Sequence, residues 1–243
     1  MPTPNFFYLI GKPIVEKYGR FKGRIVALEF DTNGELTNVV YENGGVILSK
    51  NKNSLVIEED KVIIVNPDLI RAKKVIGKMG FLKLQLDTIE KIRNISPDSG
   101  TFISLLKNLR TEFESIKSEV NSIVKRLESR KRDIERRKTR IEHLFYWLNV
   151  AKNANGLDNK VYMDSFEVLD RELVKLNAEI EELEYTLLNL SSKVSDLEDI
   201  LNKYSNRVEE SADPHVDEAG NGGYAEEPTA GLPDIFTDLG GGE

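Results

Sequence analysis

The stretch FEVLDRELVKLNAEIEELEYTLLNLSSKVSDLEDILNKYSNRV, residues 166–208, decides the fold. Written in heptads, its a positions are Phe166, Leu173, Ile180, Leu187, Val194, Leu201 and Val208. Its d positions are Leu169, Leu176, Leu183, Leu190, Leu197 and Tyr204, so all thirteen are apolar. Spacing of three and four, kept over so many turns, draws one apolar stripe along an α-helix, and that stripe has to be buried against another helix.

A second stripe lies upstream. Its a positions are Leu106, Phe113, Val120, Leu127, Ile134, Ile141 and Leu148; its d positions are Phe102, Leu109, Ile116, Ile123, Arg130, Arg137 and Leu144. Only Arg130 and Arg137 break it. Each run holds about 50 residues, hence about 75 Å of helix at 1.5 Å per residue. Between them Asn153-Ala154-Asn155-Gly156-Leu157-Asp158-Asn159 reads as a turn. A reversal centred there sets Arg130 against Glu181, and the basic run Arg126–Arg132 against Glu179, Glu181, Glu182 and Glu184. Arg137, Lys138 and Arg140 then face Glu172 and Asp170. A core-row arginine can snorkel to such carboxylates, whereas unpaired in a dry seam it costs several kcal/mol. The expectation is an antiparallel coiled-coil hairpin over 99–208, with helices at about 101–152 and 160–208, open to pairing with a second hairpin.

Residues 1–72 read as a small β domain. Phe6-Phe7-Tyr8-Leu9-Ile10, Arg24–Phe30, Leu36–Tyr41, Val46-Ile47-Leu48 and Lys61–Val65 are β-rich runs punctuated by Gly11, Asn33-Gly34 and Asn43-Gly44-Gly45. Asn-Gly pairs between strands are hairpin signals, and five or six strands in about 65 residues suit a closed or half-closed barrel. Asp31 and Glu35 flank one Asn-Gly pair; turn stabilisation accounts for them better than a catalytic carboxylate pair.

Residues 73–98 form a basic amphipathic connector in which Lys73, Lys74, Lys78 and Lys83 alternate with Val75, Ile76, Phe81, Leu82, Leu84, Leu86 and Ile89. It suits an anionic membrane surface or nucleic acid, and equally a helix packed on its own barrel. Ser96-Pro97-Asp98 separates it from the coil and caps the long helix. Lys125–Arg140 carries nine basic residues, Arg130, Lys131, Arg132, Arg136 and Arg137 among them, against three acidic ones. Such a face can grip phosphates, but the acids expected opposite favour neutralisation by the partner helix. At the bend, Phe145-Tyr146-Trp147 with Tyr162, Met163 and Phe166 can wedge into lipid; a cluster closing the coil is the simpler reading.

Of 243 residues, 34 are Lys or Arg and 41 Asp or Glu, with two His and no Cys. These counts exclude thiolate chemistry and any metal site needing several imidazoles within one chain. No P-loop, dinucleotide loop, nucleophile–base triad or metal spacing is present, so the chain reads as a non-enzyme without a cofactor. No membrane span or signal peptide is legible, and a cytoplasmic protein is the default. Charge is polarised: residues 209–243 hold ten acidic residues and no basic one. Residues 209–230 are too poor in aliphatics to fold, and read as a disordered acidic linker. In residues 231–243, Leu232, Ile235, Phe236 and Leu239 return as an isolated apolar cluster, with Pro233 biasing Leu232 towards extended backbone. That pattern is a partner-binding linear motif suited to strand addition or a groove.

Leu9-Ile10-Gly11, Gly23-Arg24-Ile25-Val26, Phe30–Leu36 and Ile57–Ile64 resemble the PRC-barrel module, which usually serves as an adaptor. With the long coiled coil, the acidic linker and the terminal Leu-Pro-Asp-Ile-Phe in that order, essentially the whole chain resembles the CdvA family of archaeal cell-division proteins. The overall expectation is thus an α+β chain: barrel, helical hairpin, tail. The resemblance implies self-association into dimers and filaments at the mid-cell division site, on the cytoplasmic face of the membrane. It also implies affinity for DNA and recruitment of the ESCRT-III-like protein CdvB. In that family the C-terminal peptide adds a strand to a winged-helix-type region of CdvB, and by position it is Leu232, Pro233, Ile235, Phe236 and Leu239 here. The competing reading is a DNA-binding, nucleoid-associated coiled-coil filament protein, which uses the basic helix and leaves the tail idle.

Overall fold

The structure is a computed structural model and describes residues 6–93, 99–154 and 156–212. The Ser96-Pro97-Asp98 cap and the terminal motif lie outside the described residues. The architecture is α+β: a six-stranded sheet curled into a half-barrel, then three long helices. The strands are β1 (Pro13–Glu16), β2 (Lys22–Phe30), β3 (Leu36–Asn43), β4 (Val46–Asn51), β5 (Leu55–Ile57) and β6 (Val62–Ile64). Their order is β4-β3-β2-β1-β6-β5, with β1 and β6 parallel and all other neighbours antiparallel.

Turn chemistry fixes the meander. Gly44 and Gly45, at φ 61° and 83°, form the two-residue connection that pairs Asn43 with Val46; two successive positive φ values are what a tight hairpin needs. Between β2 and β3 the Asp31 carboxylate accepts from the backbone N–H groups of Asn33 and Glu35, both at 2.9 Å, so that acid stabilises a turn. Gly23 is required for another reason: a Cβ there would stand 2.4 Å from the Glu42 carbonyl oxygen of β3. Leu9, Ile14, Ile25, Leu36, Val39, Tyr41, Val62 and Ile64 fill the half-barrel. Phe6–Leu9 corrects the strand expected there. It is one turn of 3-10 helix whose Leu9 plugs the core, and Gly11 at φ 85° re-aims the chain into β1.

The helices are α1 (Pro67–Arg93), α2 (Ser99–Asn153) and α3 (Asn159–Ala212). α2 and α3 run antiparallel: Lys117 meets Glu198 at 2.7 Å and Lys131 meets Glu184 at 2.6 Å, within about one turn of the register expected from the sequence. Leu109, Phe113, Ile116, Val120, Ile123, Leu127 and Ile134 of α2 are buried, as are Leu176, Leu183, Leu190, Leu197, Leu201 and Tyr204 of α3. α1 belongs to this core rather than to the barrel alone. Leu69, Ala72, Val75, Met79, Leu82 and Leu86 pack into it, Asp68 pairs with Arg126, and Glu90 accepts from the Tyr204 hydroxyl at 2.8 Å. Among the described residues, the proximal part is therefore a three-helix bundle and the distal part a pair.

The bend is also less closed than expected. Phe145 packs on Phe166 with centroids 5.0 Å apart, but Tyr146 and Trp147 are 62% and 64% exposed and stack only on each other among the rings. Consecutive helical residues diverge by about 100°, so the three aromatics cannot all face one partner helix.

The antiparallel register is testable because the chain has no native thiol. Lys117→Cys with Glu198→Cys should be bridged by a short bismaleimide within one chain. Bridging solely between chains, seen as a dimer band, would contradict the hairpin.

Candidate functional site

The sequence-derived cations do not converge. Lys73, Lys74 and Lys83 are exposed on α1, while Lys78 is paired with Glu119 at 2.8 Å. On α2, Lys131 is held by Glu184 and Glu135, and Arg136 by Asp133. The exposed Arg132 and Arg136 line a shallow cleft of about 530 Å³, but Asp133 and Glu135 line it too. That mixture weakens any grip on phosphate. Donation to the Glu184 carboxylate holds the Lys131 ammonium above its ordinary pKa, as donation to Glu198 does for Lys117. The motif residues Leu232, Pro233, Ile235, Phe236 and Leu239 lie outside the described residues.

The densest polar constellation lies where the barrel meets the helices. The turn Lys17-Tyr18-Gly19-Arg20 between β1 and β2 is held by its own Glu16, whose carboxylate accepts from the N–H groups of Tyr18 and Arg20 at 2.9 and 3.2 Å. It points its side chains at α3. Lys17 and Tyr18 both donate to Glu182, the tyrosine at 2.5 Å. Arg20 reaches Glu179 at 2.5 Å and Glu172 at 3.5 Å. From α2, Arg130 donates to the other Glu179 oxygen at 2.8 Å. Glu179 is 1% exposed, yet two guanidiniums flank it. The Arg20 contact is close but off-line, an ion pair rather than a directed hydrogen bond.

This geometry corrects the sequence reading at two points. Arg130 meets Glu179 rather than Glu181. Arg137 lines a crevice between barrel and helices, and it is Arg20 of the barrel that reaches Glu172. The acids of α3 therefore serve two clients, the partner helix and the barrel. Sequence reasoning missed Lys17, Tyr18 and Arg20, although cations beside an aromatic on a glycine turn are a usable signal.

Burial, reinforced by Glu182, pushes the Tyr18 phenol far up, so it stays a donor. For Glu182 burial acts upward, but hydrogen bonds from Lys17 and Tyr18, with the Lys73 charge, leave it below the ordinary carboxylate value of 4.5. A carboxyl held down by folding contributes stability above its unfolded pKa and loses it as pH falls through the lowered folded value. Among the described residues no cluster of three or more His, Cys, Asp or Glu suits a metal ion. The constellation is a docking latch in which every charge has a structural partner.

Two outcomes follow from the latch. Glu179→Ala should lower the unfolding free energy by roughly 3 kcal/mol, since it strands Arg130 and leaves Arg20 only its longer contacts with Glu16 and Glu172; a urea titration reads this directly. In the same assay the native chain should lose stability as pH falls below 4.5, and Glu182→Gln should flatten that slope.

Compared with known proteins, the chain matches no family model, no curated protein and no solved structure.

Proposed function

We propose that this chain is a non-enzymatic scaffold of cell division, built to polymerise and to recruit a partner through its C-terminal peptide. The observation that carries the reading is an unfinished seam. Proximally, α1 and the barrel cover the α2–α3 pair. Distally no described residue outside the two helices and their bend does, and the heptad residues Leu144 and Phe166 stay 43% and 37% exposed, with Val161 and Met163 beside them. Apolar heptad positions left in water are covered most directly by copies of the same helices.

The rest follows from the sequence resemblance to the CdvA family. On that reading the sheet is a PRC-type barrel, and filaments assemble at the division site on the cytoplasmic face of an anionic membrane. Leu232, Pro233, Ile235, Phe236 and Leu239 recruit the ESCRT-III-like CdvB. Attachment in this scheme is peripheral; no helix among the described residues is long and apolar enough to cross a membrane. A DNA-binding filament protein is the second reading, supported by the exposure of Arg132, Arg136, Arg137 and Arg140. It calls for a salt-dependent mobility shift that weakens when those arginines become Gln.

Light scattering tests the assembly. The native chain should run as a dimer or larger, and Leu144→Asp with Phe166→Asp should return it to monomer while leaving its helical circular dichroism intact. A native monomer at high concentration would refute the scaffold. Calorimetry tests recruitment. The full chain should bind the winged-helix region of CdvB in roughly the micromolar range expected of a short motif that orders on binding. Ile235→Ala with Phe236→Ala should abolish the signal, and unchanged binding would remove the recruiting role from this segment.

A further inference from the structure

The open end of the sheet borders a cleft that no part of the described chain fills. It measures about 550 Å³ and lies between β5, the turn before it, and the first turns of α1. Leu55, Ile57 and Ile70 supply an apolar wall, while Lys52, Arg71 and Lys74 supply cations; among the described residues no acidic side chain lines it. Lys52 and Arg71 make only long pairs with Glu35 and Asp68, at 3.3 and 3.6 Å. β5 is the last strand of the sheet order, so among the described residues one side of its backbone ladder has no strand beside it. An apolar cleft with a cationic rim beside a sheet edge fits an extended acidic peptide with spaced apolar anchors.

We infer that the occupant is this chain's own terminal segment, residues 231–239, which lies along β5 and is withheld from other partners while it is there. Charge is the first argument. Residues 209–243 carry ten acidic side chains and no basic one, and the segment interleaves Asp234 and Asp238 with Leu232, Ile235, Phe236 and Leu239. Reach is the second. α1 and α3 run in the same direction, since Lys73 acts on Glu182 and Glu90 accepts from Tyr204. Lys74 thus lies level with about residue 184 of α3, and the end of α3 at Ala212 stands about 42 Å further along at 1.5 Å per residue. The residues from 213 to 231 span about 63 Å when extended at roughly 3.3 Å each. The segment therefore reaches the cleft of its own chain with length to spare, and tethering raises its local concentration there.

The consequence is self-occlusion: the motif is masked until a partner or neighbouring charge competes it away. This rests on the motif's residues and the cleft, not on the identity of any partner, and its test contains no partner protein. Failure here would leave the recruiting role standing, and failure of recruitment would leave the occlusion standing.

The full chain, which has no native cysteine, is given Asn53→Cys and Thr237→Cys and mildly oxidised. A disulfide within one chain is expected, with yield falling as salt rises. Ile235→Asp with Phe236→Asp should cut that yield at least tenfold. In the chain without cysteines, the same pair should speed hydrogen exchange at Leu55–Ile57 by a similar factor. Both changes fall outside the described residues, and Arg71→Glu with Lys74→Glu should act likewise from the cleft side. Yield and exchange indifferent to the tail substitutions would overturn the inference, as would disulfides solely between chains. Protection that survives those substitutions but is lost on removing residues 1–5 would assign the cleft to the segment before Phe6, and would also overturn it.

Discussion

A carboxylate almost wholly out of water, Glu179, governs how the two halves of this protein sit together. An isolated buried charge is costly, and its compensation comes from two separate elements, Arg130 of α2 and Arg20 of the barrel. Remove either element and the other is left facing a half-neutralised charge. The barrel is thereby tied to one height along the helices and one orientation about them. Lys17 and Tyr18 on Glu182 sharpen the orientation further.

Once the barrel is fixed, the distribution of apolar surface follows. α1 leaves β6 at Pro67 and lies along the α2–α3 groove away from the bend, with Leu82 and Leu86 fully buried. It can cover only the proximal seam. The distal helices carry heptads too, broken in α2 by Arg137, and no described element is laid over them. Much of the molecule's apolar exposure, from Leu144 and Trp147 to Val161 and Met163, is the arithmetic remainder of where α1 and the barrel happen to lie.

The sequence disclosed the long helices because thirteen apolar heptad positions over 166–208 leave no other period. It disclosed the hairpin because Arg130 and Arg137 demanded acids. It did not disclose α1 as a bundle member: its buried stripe runs through small Ala72, and its outer face carries exposed Phe81 and Leu84, which blur the amphipathic pattern. Nor did it reveal that Glu172, Glu179 and Glu182 answer to the barrel. Charge complementarity names the sign of a partner, not the element that supplies it, and Lys17 and Arg20 lie more than 150 positions away. The Phe6–Ile10 run looked like a strand because β-rich composition says nothing about a plug that needs a single turn.

The docking height has a mechanical side. The latch grips α2 near Arg130, and the helix runs on to Asn153, about 35 Å at 1.5 Å per residue. That overhang is a cantilever. A pull along the axis is carried by helical backbone hydrogen bonds, which are stiff and indifferent to salt. A sideways push at the bend becomes a torque about the barrel, resisted by Lys17, Arg20 and their carboxylates. Because those pairs are partly or almost wholly buried, salt screens them only weakly, and the rod keeps its bending stiffness as well as its tensile stiffness over a wide range of ionic strength.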